Sequence, residues 1–72
     1  MLGKSLLNLL AALTPDDIEE MKRAGLRNEV GELIDAFDTL ADSCHRAGLV
    51  ERGLRADIQD RLDELLVGLF DD

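Results

Sequence analysis

The chain has 72 residues, of which 46% are apolar and 33% charged, and its 16 Asp and Glu against 8 Lys and Arg give a net charge of −8. That length holds one small domain and falls short of the layers an enzyme scaffold usually needs, while the charge leaves no basic face to replace the counterions of nucleic acid or to meet an anionic membrane. One cysteine, Cys44, excludes an intrachain disulfide and points to a reducing cytoplasm, and two phenylalanines with no Tyr or Trp leave few aromatic platforms for bases, sugars or cofactors.

Leucines 2, 6, 9, 10 and 13 fall within about 100° of a helical wheel, with Lys4, Asn8 and Ala11 opposite, which predicts an amphipathic helix over residues 2–13. The longest apolar stretch, Leu6 to Leu13, is broken by Asn8 and stays well under the roughly 18 residues of a membrane span. Lys4 and the leucines after it imitate a signal peptide, but Thr14-Pro15-Asp16-Asp17 stands where a small-residue cleavage site belongs.

That tetrapeptide is a helix start. Thr14 supplies an N-cap hydroxyl, Pro15 loses nothing at the first helical position, and the acids face the positive end of the helix dipole. A second helix therefore covers residues 15–24, with Lys22 and Arg23 in its last turn and Gly25 as its left-handed stop.

Between residues 27 and 47, Val30, Leu33, Ile34, Phe37, Leu40, Ala41 and Cys44 occupy an arc of about 120° centred near Phe37, and Gly48 repeats the stop signal after Arg46. From 50 to 70 the seam Leu54, Ile58, Leu62, Leu65 and Leu69 is confined to about 80°, flanked by Leu66, Arg55 and Arg61, a stripe of coiled-coil width. Gly53 and Gly68 weaken the first and last turns of this fourth helix. Strand alternation is absent and β-branched residues are few.

The expected fold is all-α, one domain over residues 1–72, with an antiparallel helical hairpin (27–47 and 50–70) preceded by one or two short N-terminal helices. A hairpin buries one stripe per helix, and a chain this short gains only a few kcal/mol from one core. Pairing of two hairpins into a homodimeric four-helix bundle is therefore expected, clasped by the N-terminal helices. Phe37, Leu40, Cys44, Leu54, Ile58, Leu62, Leu65 and Leu69 form the expected dimer or core interface.

Candidate chemistry is thin. Asp35, Asp38, Asp42 and His45 lie along one stripe of the third helix, and Asp42-x-x-His45 has the spacing of di-metal carboxylate bundles, but the stripe points away from Phe37 and lacks a second such pair. A solvated acidic face is the expected role, with no metal. Cys44 and His45 are consecutive and diverge by about 100° on a helix, so they do not make a nucleophile and base. The glycines are scattered, with no phosphate loop, and no hydroxyl or lysine has an activating neighbour. No catalytic residue and no cofactor are expected.

Two surface features remain. Asp16, Asp17, Glu19 and Glu20 form an acidic edge, joined in sequence pattern by Asp71 and Asp72, that caps a helix and could dock a basic partner. The first helix packs as core or lies in a partner's groove. The expected function is a non-enzymatic protein–protein interaction module, a small dimeric regulator or adaptor that binds itself and a partner protein, without direct nucleic-acid or membrane contact. The alternatives are a phage-type inhibitor whose acidic surface imitates nucleic acid, an assembly or docking subunit, and a metal-dependent bundle.

Overall fold

The computed structural model describes residues 2–71, which form four helices and, among these residues, no strand. They are α1 (Leu2–Ala12), α2 (Pro15–Arg23), α3 (Arg27–Arg46) and α4 (Arg52–Phe70). None of them is long and apolar enough to cross a membrane.

Local chemistry sets the boundaries. The Thr14 hydroxyl accepts from the Asp17 backbone N–H at 3.2 Å, while the Asp17 carboxylate accepts from the Thr14 backbone N–H at 3.0 Å. This reciprocal capping box starts α2. Leu13 before the cap and Ile18 after it both turn into the core, the arrangement that fixes the entry angle of a helix.

The tetrapeptide Arg-Ala-Gly-Leu occurs at 23–26 and again at 46–49, and both copies end a helix in the same way. Gly25 and Gly48 adopt φ of 81° and 80°. The following leucines donate backwards five residues, Leu26 to the Met21 carbonyl at 3.0 Å and Leu49 to the Cys44 carbonyl at 2.9 Å, which makes each end a Schellman motif.

The second stop explains why α4 begins at Arg52 and not at residue 50. Leu49 is consumed by the Schellman bond, the Val50 carbonyl lies 2.9 Å from His45 Nδ1, and Val50 itself is buried outside any helix. Glu51, extended at φ −69° and ψ 154°, is the N-cap.

Helix α4 is the centre of the molecule and contacts all three other helices. Its Ile58, Leu62, Leu65 and Leu69 are at most 2% exposed. Helix α1 lies along it: Gly3 sits against Leu54 and Val50, and at the other end the Leu13 carbonyl accepts from Arg61 Nη2 at 3.2 Å. Helix α2 meets the C-terminal end of α4. Helix α3 meets it through Gly31, which faces Leu69 and Phe70, and through Asp38, whose carboxylate pairs with Arg55 at 3.0 Å.

Two helices are rotated from the position their leucines suggest. In α1 the buried residues are Gly3, Leu6 and Leu10, whereas Leu9 is 65% exposed. A Cβ at Gly3 would fall 2.7 Å from Leu54 Cδ1, so the bare glycine lets the backbone approach α4 and turns Leu9 outward. In α3 the buried set is Val30, Ile34 and Ala41, about 40° from the expected centre at Phe37. Ala41 is fully buried on that side, and Leu33 and Leu40 are left 58% and 49% exposed.

Candidate docking surface

The rotations of α1 and α3 leave an open groove between the two helices. Its walls are Leu9, Leu10 and Leu13 on one side and Leu33, Ile34 and Phe37 on the other, enclosing about 320 Å³ with no polar side chain in the lining. Leu40 continues the same edge of α3.

The spacing of these residues is that of a coiled-coil seam. Leu26, Val30, Leu33, Phe37, Leu40 and Cys44 follow at intervals of four and three along α3, and Leu2, Leu6, Leu9 and Leu13 do so along α1. Each stripe is half used: Val30 and Leu6 point into the core, while Leu33, Leu40 and Leu9 face outward. Within about 70° of the exposed stripes the remaining residues are small or neutral, with Ala36, Ser43 and Ala47 beside α3 and Ser5 and Ala12 beside α1. Glu29 is the one charge in that sector of the two helices.

The residues expected at a dimer or core interface therefore divide. Ile58, Leu62, Leu65 and Leu69 are buried within the single chain, Leu54, Phe37 and Cys44 are half-buried against the same core, and Leu40 is exposed. The α4 seam is covered by its own chain and is not an outward face.

The acidic edge is partly occupied. Asp16, Glu19 and Glu20 are exposed, and Glu19 lies 3.5 Å from Lys22. The backbone N–H of Thr14, and after it the Thr14 hydroxyl, hold the Asp17 carboxyl below the usual aspartate value, against a small opposing effect of desolvation. This carboxylate acts as a cap.

The stripe Asp35, Asp38, Asp42 and His45 is dispersed among local partners. Asp38 pairs with Arg55, Asp42 with Arg46 at 3.0 Å, and His45 with the Val50 carbonyl, while the Asp35 carbonyl accepts from the Thr39 hydroxyl. Among the described residues no three His, Cys, Asp or Glu gather into a group that could hold a metal. Cys44 is a free thiol packed against the core.

One tertiary contact had no visible sign in the sequence beyond a cation in the last turn of α2. Lys22, whose side chain is 11% exposed, reaches across to α4 and donates to the carbonyls of Gly68 at 2.9 Å and Asp71 at 2.7 Å. It satisfies acceptors at a helix C-terminus, where a cation is also favoured by the dipole. Lys22, Arg23 and Arg27 line a broad depression there, but the Lys22 ammonium is already engaged.

The described residues define an all-helical fold with an open apolar groove between α1 and α3. Comparison of the chain with family models, with curated proteins and with solved structures finds no match.

Proposed function

We propose that this chain is a non-enzymatic protein–protein interaction module, a small dimeric helical regulator or adaptor that works by occupying the surface of other protein chains. The observation that supports this reading is the groove between α1 and α3, walled by Leu9, Leu10, Leu13, Leu33, Ile34 and Phe37. Contiguous exposed apolar surface is costly for a solvated protein and marks contact sites, and a groove between two helices suits a third helix laid along it. In this reading α3 and α4 form an antiparallel hairpin, α1 and α2 cover its inner side, and the protein works in a reducing cytoplasm where Cys44 stays a thiol.

The test is affinity capture from nuclease-treated lysate of the source cell, at low and at high salt, with bound proteins identified by mass spectrometry. Apolar docking predicts one stoichiometric protein partner retained at both salts, because screening weakens charge contacts and leaves apolar ones intact. Absence of any partner at either salt would refute the adaptor role.

A further inference from the structure

We infer that the α1–α3 face seats a second copy of this chain, docked about a twofold axis that passes between Ala36 and Phe37. This deepens the interaction-module reading and rests on it. Three observations carry the assignment.

The register is self-complementary. Residues 36 and 37 are the middle of α3, which runs Arg27–Arg46. An antiparallel pairing about that midpoint sets Leu33 of each copy opposite Leu40 of the other, and Phe37 against the small Ala36. Both leucines are already about half exposed, so nothing in the single chain has to open. Leu9 shares the groove with Phe37, so the same axis brings Leu9 of the two copies together and lays α1 on α1 beside α3 on α3. The result is a four-helix arrangement with knobs spaced by four and three.

Charge selects the occupant. Each copy carries −8, so contact through most of its surface would set acid against acid. The exposed stripes of α1 and α3 carry one charge, Glu29, in their sector. A basic partner gains nothing from a face without charge; what such a face permits is the meeting of two molecules of the same sign.

The area is sufficient for a small dimer. The molecule measures 38 × 17 × 16 Å, so its long face is on the order of 600 Å², which is the share per partner at the lower end of specific interfaces. The full length of the face must therefore be used, in agreement with pairing along all of α3.

The experiment is sedimentation equilibrium of the full chain, wild type and Leu33→Asp/Leu40→Asp, with helicity followed by circular dichroism. Wild type is expected at twice its 7.9 kDa mass at tens of micromolar. The double variant is expected as a helical monomer, its dissociation constant raised at least about 100-fold by carboxylates placed in an apolar contact. A second measurement does not depend on that variant: Leu9→Cys in a Cys44→Ala background, mildly oxidised, is expected to form a covalent dimer at least about tenfold faster than Glu32→Cys in the same background, because only a residue beside the axis meets itself.

A monomeric wild type would overturn the self-docking and the dimeric part of the proposed function together, leaving partner capture to decide the rest. A dimer that survives Leu33→Asp/Leu40→Asp would overturn this face while the dimeric reading stands. Slow cross-linking at Leu9 in a dimer that those aspartates do break would overturn the axis.

Discussion

Lys22 offers a measurement of how α2 is fastened to α4. Replacing it with Met keeps most of the aliphatic stem and removes the ammonium that donates to the Gly68 and Asp71 carbonyls at 2.9 and 2.7 Å. Hydrogen bonds from a charged donor contribute about 1.5–3 kcal/mol each when the acceptor is left dry, and a cation at a helix C-terminus adds about 0.3–1 kcal/mol. Gly68 and Asp71 lie at an exposed end, so water replaces much of what the lysine supplied. The variant also avoids desolvating an ammonium that is 11% exposed. The net loss expected for Lys22→Met is about 1–2 kcal/mol. For a domain of this size 1 kcal/mol moves the melting temperature by about 4–8 °C, so thermal circular dichroism should show a fall of roughly 5–15 °C. Amide exchange should quicken in the last turn of α4, where Asp71 N–H bonds to the Val67 carbonyl, before it quickens at Ile58. A melting point within about 2 °C of wild type would mean that Lys22 contributes nothing net and that α2 is held by its apolar residues, Ile18 and Met21 among them.

Leu62→Ala and Leu65→Ala, each removing a side chain at most 2% exposed, should cost about 2–5 kcal/mol apiece by urea titration, enough to unfold a marginal 72-residue chain. Gly68→Ala should stabilise by up to about 1 kcal/mol in the same titration, since a methyl there meets nothing within 4 Å and the backbone is already helical. Thr14→Ala should cost about 0.5–2 kcal/mol by loss of the cap. The folded Asp17 carboxyl titrates below its ordinary 3.8, so its contribution is complete above that value and is lost as pH falls through the lower folded value. Asp17→Asn should flatten that part of the acid limb of the urea midpoint against pH, and an unchanged limb would contradict the capping role.

The helices and most of their ends were legible because their signals are local, the start of α4 at Arg52 being the exception. Thr14-Pro15 and the two Arg-Ala-Gly-Leu segments act through bonds within six residues, and nothing distant overrides them. The rotation of α1 and α3 was not legible from leucine positions, since an apolar arc of about 100–120° is wider than one neighbouring helix covers. Which part is buried depends on where the backbone comes closest to α4, and for α1 Gly3 decides that. Gly3 was visible in the sequence, but its role depends on Leu54, on a helix far along the chain. For the same reason Leu40 could be named as an interface residue while the groove it borders, between Leu9 and Leu33, could not. Lys22 binds carbonyls 46 and 49 residues downstream, a pairing that charge pattern alone does not reveal.

The central helix follows in the chain every helix that it holds together. On a ribosome adding about 5–20 residues per second, the stretch from Ala47 to Phe70 takes roughly 1–5 s to be added after α3 is finished. Until then α1, α2 and α3 lack the helix that makes the largest contact with each of them. The nascent chain thus passes through an interval in which it is a string of amphipathic helices, open to chaperones and to neighbouring nascent copies. The core is complete only once Ile58, Leu62, Leu65 and Leu69, each at most 2% exposed in the folded chain, have been added.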